Sequence, residues 1–304
     1  YSKVPTALTF GKFDGVHLGH QKIFSSVFGI AKEEGLKPAV LSFTMEKDSF
    51  FLQGRKDMLS TEDEHFTRLK NAGFHELYLY PLTMEAARMS PEDFVRIILI
   101  EALKVKHLVV GTDCSFGYQG AGNVEFLKNL QGKYDFSLTV VDKVLTTNSA
   151  GEEVEISSSY IRKSLEEGRV EEAAKLLGRP YSINGTVVHG KAIGRSLSFP
   201  TANIFPKEGK LCPEEGVYYT RVMVLGEEYD AMTNIGRNPS ISAGNPLTIE
   251  SHLLDFDRDI YGEKIRVSFI KRIREQKHFL KLDELKAQLK IDLLSVEDFR
   301  EKSD

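Results

Sequence analysis

The 304-residue chain is 41% hydrophobic and 28% charged with a formal net charge of -4, an ordinary globular composition that gives no general drive toward nucleic acid or anionic membrane. Its length predicts two domains rather than a single core. No apolar run approaches the ~18 residues that cross a bilayer, and the distant Cys114 and Cys212 fit neither a disulfide framework nor a zinc site, so a reducing, cytoplasmic setting is expected.

Short apolar runs at residues 7–10, 39–43, 77–80, 107–110 and 138–141 read as strands, with helical segments at 21–34, 62–72, 91–103 and 124–130 between them. Ser90 is placed as the cap of the third helix, with Pro91 at its first position. This β-α-β-α order predicts a parallel sheet with helices on its faces, and a ligand site outside the carboxyl ends of the strands. The first strand opens into Phe10-Gly11-Lys12-Phe13-Asp14-Gly15-Val16-His17-Leu18-Gly19-His20. Gly11 and Gly15 let the backbone approach a polyphosphate, His17 and His20 fall on one side of the first helical turn, and the helix N-terminus adds N–H donors. The fourth strand ends in Gly111-Thr112-Asp113-Cys114-Ser115-Phe116-Gly117. After the last comes Glu155-Ile156-Ser157-Ser158-Ser159-Tyr160-Ile161-Arg162, leading into a helix where Arg162 opposes the dipole unless an anion lies nearby. Glycine turns and capping serines also occur with no ligand at all.

After Gly178-Arg179-Pro180 the pattern changes to alternation. Runs at residues 183–188, 216–224, 229–234, 247–254 and 265–272 predict antiparallel strands of a small closed barrel, and leucines over 282–289 a helix packed on it. Gly190, Lys191, Gly194 and Arg195 make a glycine-flanked basic loop just before Phe199-Pro200-Thr201-Ala202-Asn203-Ile204. Thr201 and Asn203 alternate onto one face of an extended chain, which brings two hard oxygen ligands for Mg²⁺ together. Glu250 is an acid within an apolar stretch, where burial raises a carboxyl toward the range of a general base.

The HxGH and ISSSYIR segments resemble the paired motifs of the nucleotidyltransferase superfamily, with Ser159 where Thr is usual. From about Leu8 to Asp292 the chain is similar to the bacterial bifunctional riboflavin kinase/FMN adenylyltransferases, through GRSLSFPTANI, GVYYTRV, NIGRNPS and IESHLLDFDRDIYGEKIRVSFIKRIR. The resemblance implies an α/β Rossmann-like nucleotidyltransferase domain over residues 1–178, then a six-stranded antiparallel β-barrel with a C-terminal helix over 179–304. It implies ATP, riboflavin and FMN as substrates with Mg²⁺ on Thr201 and Asn203, no nucleic-acid or membrane partner, and a monomer or weak homo-oligomer. Catalytic roles are implied for Glu250, His17, His20 and Arg162. ATP or phosphate contacts are implied for Gly11, Phe13, Asp14, Gly15, Ser158, Ser159, Gly190, Lys191, Gly194, Arg195 and Asn234, and flavin contacts for Asp113 and Phe116.

Two departures stand out. Ser42-Phe43-Thr44-Met45-Glu46-Lys47 replaces a TFxPHP-like segment, and Cys114 replaces a usual aromatic. They keep open a riboflavin kinase with a degenerate first domain, and beside it a non-catalytic flavin- or nucleotide-binding regulator. Intact HxGH, PTAN and Glu250 argue against the regulator, since a binder needs no general base.

Overall fold

The β-branched and aromatic runs of the first half pair as parallel strands in the computed structural model, which describes residues 1–44, 57–189, 199–237, 247–277, 279 and 281–301. The chain divides into two units, Tyr1–Ser158 and Ser159–Asp304. In the first, β1 (Thr6–Gly11), β2 (Lys37–Thr44), β3 (Glu76–Pro81), β4 (Val105–Gly111) and β7 (Ser137–Val141) form a sheet of order β3-β2-β1-β4-β7. Helices α1 (Leu18–Glu34) and α2 (Glu62–Asn71) bring Phe24, Val27, Ala31 and Leu69 against one face of it. The other face is covered by Phe94, Val95 and Leu99, and by Leu127 and Leu130 of α5 (Val124–Tyr134). Burial on both faces explains strands that read as continuous apolar runs.

Three local features depart from the expected elements. The segment after the short α3 (Met84–Ala87) starts as α4 (Pro91–Asp93), capped by Ser90, and then widens into a π-helix over Phe94–Ala102, with Leu103 N–H donating to Ile98 O at 3.0 Å. Val95, Ile97, Ile98 and Ile100 crowd an α-turn through their branched Cβ atoms, and a wider turn relieves this. Two small hairpins also form, β5 (Ser115–Phe116) with β6 (Gly122–Asn123), and β8 (Leu145–Thr147) with β9 (Glu153–Glu155). Strands of two or three residues are too short to show alternation.

The second unit begins with most of α6 (Ser158–Glu166) and with α7 (Val170–Leu177). Buried Glu172 ties these helices together, accepting from Arg169 Nε at 2.7 Å and from Tyr160 and Ser164 hydroxyls at 3.2 Å. Then β10 (Tyr181–Thr186), β11 (Ala202–Ile204), β12 (Gly216–Val224), β13 (Glu227–Arg237), β14 (Leu247–Leu253) and β15 (Lys264–Glu275) form an antiparallel six-stranded sheet of order β10-β15-β12-β13-β14-β11. Its two ends meet at one bridge, Val188 N–H to Asn203 O at 2.8 Å. Gly185 permits this approach, because a Cβ there would lie 2.7 Å from Ile204 Cβ. Inside, Tyr218, Val222, Ile235, Ile249, Val267 and Phe269 are at most 0% exposed, and a hydroxyl chain from Thr220 to Thr233 (2.6 Å) to Ser251 (2.8 Å) satisfies the buried polar groups.

The last helix, α8 (Leu282–Glu301), runs twelve residues past the leucine stripe that signals it, because exposed Ile291 and Leu294 break the apolar period. It lays Leu285, Leu289, Leu293, Val296 and Phe299 on the outer barrel face beside Val217, Tyr219 and Met232. A bidentate pair pins it: Arg274 Nε and Nη2 reach Asp292 at 2.9 and 2.7 Å, with Asp292 only 1% exposed. Asp292→Ala leaves that guanidinium without its counter-charge and is expected to destabilise the second unit by about 3–5 kcal/mol in urea unfolding. Arg300→Ala removes solvent-facing pairs to Asp230 and Asp255 and is expected to cost about 1 kcal/mol or less in the same measurement.

Candidate active sites

In the first unit the turn after β1 is built under strain. Phe13 and Val16 adopt positive φ (47° and 45°) beside Gly15 (80°), a region that a β-branched residue avoids unless its surroundings compel it. Gly11 serves this turn by clearing room for the Phe13 ring, which a Cβ would meet at 3.1 Å. Asp14, expected among the phosphate contacts, is 5% exposed and has its carboxylate on the backbone N–H groups of Leu59 (3.0 Å) and Ser60 (3.1 Å). Its backbone carbonyl accepts from Ser158 Oγ at 2.9 Å. The structure thus gives Asp14 an anchoring role in place of the expected metal or phosphate contact.

His17 is the N-cap of α1, its Nδ1 accepting from His20 N–H at 3.4 Å, which leaves Nε2 as the edge that can donate. The two imidazoles stack with centroids 3.6 Å apart and planes at 22°. Gly19 makes this possible, since a Cβ there would press on the His17 ring at 3.1 Å. The edge of His20 meets Phe13 at 5.2 Å, and its Nδ1 is buried without a hydrogen-bond partner among the described residues. Burial, then the neighbouring His17 and His65, push His20 well below the ordinary imidazole range. His65 on α2, with Nε2 2.7 Å from Ser42 Oγ, is a neighbour that the motif reading missed; only a fold that lays α2 beside α1 reveals it.

The segment after β4 separates its two expected flavin contacts. Asp113 is exposed on the turn. Phe116 is 5% exposed and packs on Phe10 (5.4 Å), Phe94 (5.5 Å) and Phe126 (6.2 Å), so the ring expected to touch flavin is a core residue. Burial, with Asp113 second, raises the adjacent Cys114 thiol to about 12, which makes it inert as a nucleophile near neutral pH. Ser159 and Arg162 lie in the second unit, one turn apart along α6.

On the barrel, strand register assembles what the sequence scatters. Asn203 on β11 pairs with Glu250 on β14, and Glu250 pairs with Asn234 on β13, so an acid sits between two amides in one row. The row lies on the outer face, the face that α8 also covers. Glu250 is accordingly half-buried, where the sequence suggested an acid sunk among apolar neighbours. Strand alternation accounts for this: Ile249 and Ser251 take the interior and Glu250 does not. Asn203 Nδ2 donates to Thr201 O (3.2 Å) and Thr201 Oγ1 (3.3 Å), so the two side chains lie side by side with the amide oxygen facing away from the hydroxyl, and each supplies one hard oxygen. That donor set fits Mg²⁺, which binds through one or two protein oxygens together with substrate phosphates. No group of three or more His, Cys, Asp or Glu side chains able to hold a metal occurs among the described residues. Gln276 was not foreseen: its Nε2 donates to Asn234 Oδ1 (2.8 Å) and Ile235 O (2.7 Å), fixing the amide with its N–H donors outward. Gly190, Lys191, Gly194 and Arg195 lie outside the described residues, as do Met45, Glu46 and Lys47.

Known proteins match both units. The FAD synthetase family model matches residues 2–160 and the riboflavin kinase model residues 177–299. A bifunctional riboflavin kinase/FMN adenylyltransferase of Listeria monocytogenes is 36% identical over 96% of this chain and 91% of its own, and one of Bacillus subtilis 35% identical over 94% and 90%. A solved structure described as a macrolide-efflux protein from Streptococcus pneumoniae is 31% identical, with TM-score 0.85 over 98% of this chain and 95% of that one. Among the described residues no helix is long and apolar enough to cross a membrane. With both family models matched in tandem and both sets of motif residues in place, the chain belongs to the bifunctional riboflavin kinase/FMN adenylyltransferase family.

Proposed function

We infer that this chain phosphorylates riboflavin to FMN and then adenylylates FMN to FAD with release of pyrophosphate, as a cytoplasmic monomer or weak homo-oligomer. The observation that carries the reading is that one chain holds two separately built polar clusters, stacked His17 and His20 after β1 and the Asn203–Glu250–Asn234 row on the barrel, each beside the motif of one activity. Residues 1–178 are assigned to adenylyl transfer and 179–304 to phosphorylation; family matches over 2–160 and 177–299 support that order of activities, while the compact units divide earlier, after Ser158. The presence of both matches favours this over a kinase with a degenerate first domain.

In the kinase half, Glu250 takes the proton of the riboflavin 5′-hydroxyl as that oxygen attacks the γ-phosphorus of ATP and the bond to ADP breaks. A half-buried carboxylate on the outer face stays accessible to the substrate hydroxyl. Asn234 offers its amide N–H groups to phosphate, and Gly190, Lys191, Gly194 and Arg195 supply backbone and cationic donors to the same chain. Thr201 and Asn203 would hold Mg²⁺ through a hydroxyl and an amide oxygen, and the ion would supply charge neutralisation at the phosphates. In the adenylyltransferase half, an FMN phosphate oxygen attacks the α-phosphorus of ATP and pyrophosphate leaves. His17 and His20 donate to the oxygens that gain charge, while Ser158, Ser159 and Arg162 hold the pyrophosphate. Asp113, exposed beyond β4, is assigned to the flavin side.

Glu250→Gln keeps the strand and removes the base, so FMN formation is expected to fall by about 10²–10⁴-fold. FAD formation from supplied FMN should be unchanged, as chromatographic separation of the flavins would show. Near-full kinase activity in a folded variant would remove Glu250 from the mechanism.

The converse variant, His17→Ala with His20→Ala, is expected to abolish conversion of FMN to FAD while riboflavin phosphorylation persists. Equal loss of both activities in correctly folded protein would rule out two independent sites.

A further inference from the structure

We propose that His65 is a further substrate-binding residue of the adenylyl-transfer site, adding a third imidazole beside His17 and His20 to hold the substrate phosphates. This rests on the adenylyltransferase reading above and extends it to a residue outside every motif of the chain.

The placement is built rather than incidental. The Asp14 carboxylate binds the N–H groups of Leu59 and Ser60, and the following Thr61 closes a capping box with Glu64, so the start of α2 is fastened directly to the GxFDG turn. That fastening carries His65, one turn along, to Ser42, with Nε2 2.7 Å from Oγ. Ser42 is fully buried at the carboxyl end of β2, in register with Gly11, where the phosphate turn begins. In a parallel α/β sheet this edge is where ligands bind.

Buried polar atoms on the elements around it are left unsatisfied. Thr9 Oγ1, Ser60 Oγ and His20 Nδ1 have no hydrogen-bond partner among the described residues, and Thr9 and Ser60 are 1% and 5% exposed. Buried polar groups in folded proteins are nearly always paired, and a group left open at a functional edge marks a place for water or ligand.

The charges that face His65 define its response. Desolvation, the largest effect, and Arg68 on its own helix both disfavour protonation, and Asp14 from the turn favours it without offsetting them, so the imidazole is held below its ordinary range. His20 on α1 is held low by the same burial and by His17 and His65. A bound diphosphate adds negative charge and raises these imidazoles, so binding takes up protons. Affinity is then highest at low pH and is lost as pH rises through the raised values of the complex.

The test uses the full chain and FAD as the probe, since its diphosphate stays ionised throughout the range and the kinase has it as neither substrate nor product. Calorimetric titration near pH ~6.5, the ordinary imidazole value, in two buffers of different ionisation enthalpy, reads the protons taken up. His65→Gln retains an amide able to bond Ser42 but cannot titrate. It is expected to lower proton uptake and to raise KM for ATP in FAD formation by about tenfold or more, with riboflavin phosphorylation unchanged as the control for folding. Wild-type proton uptake and wild-type KM in that variant would overturn the proposal and leave His65 as a prop for Ser42. Should His65→Ala lose both activities, His65→Gln decides. A wild-type protein that forms no FAD would instead remove the adenylyltransferase reading, while the proton-uptake comparison, which needs no turnover, still judges His65.

Discussion

The Asp14 carboxylate is the interaction on which the first unit's site depends. Placed inside a turn with two left-handed non-glycine residues, it receives the N–H groups of Leu59 and Ser60, and its backbone carbonyl receives Ser158. A buried carboxylate with two backbone donors is a strong, directional clamp. It stabilises a backbone that Phe13 and Val16 would not adopt alone. The turn in turn sets His17 as the cap of α1, and the cap sets the stacking of His20. A motif aspartate beside a phosphate turn invites assignment to metal or phosphate. Here its two oxygens are occupied by the chain itself, and the chemistry falls to the imidazoles that it positions.

The barrel solves a different problem, the distribution of polar groups between two faces of one sheet. Thr220, Thr233 and Ser251 point inward and satisfy one another, whereas Asn203, Glu250 and Asn234 are set in a row on the other face. Register separates them, since a slip of one residue would carry Glu250 into the apolar interior and Ser251 out of it. The Val188–Asn203 bridge fixes that register at the closing seam, next to the Thr201 hydroxyl and the Asn203 amide, whose oxygens are of the hard type that suits Mg²⁺. The α8 helix, held by Arg274 and Asp292, walls the same face with Leu289 and Phe299.

Much of the architecture was legible because the relevant periods are local. Continuous apolar runs with helices between them specified a parallel sheet, and alternation with turn residues specified the barrel strands. Strand 216–224 was read at the bounds that β12 occupies. The helix at 91–103 was legible as a helix but not as a π-helix, since hydrogen-bond spacing depends on how branched side chains settle against the sheet. The two short hairpins carried too weak a pattern to be read, whereas α7 went unread although its apolar residues keep helical spacing and Gly178 caps it.

The sequence by itself determined the family, both fold classes and the motif residues His17, His20, Thr201, Asn203 and Glu250, because strand period, glycine placement and short-range spacing are all written along the chain. Only the tertiary structure decided what those residues face. It brought His65, forty-five positions from His20, into the imidazole cluster, gave Asp14 to Leu59 and Ser60, buried Phe116 in the aromatic core, and set Gln276 on Asn234. Each of these is a contact between segments far apart in sequence. Such contacts depend on how helices dock on a sheet and how strands register across a barrel, and neither leaves a periodic trace in the residues that end up touching.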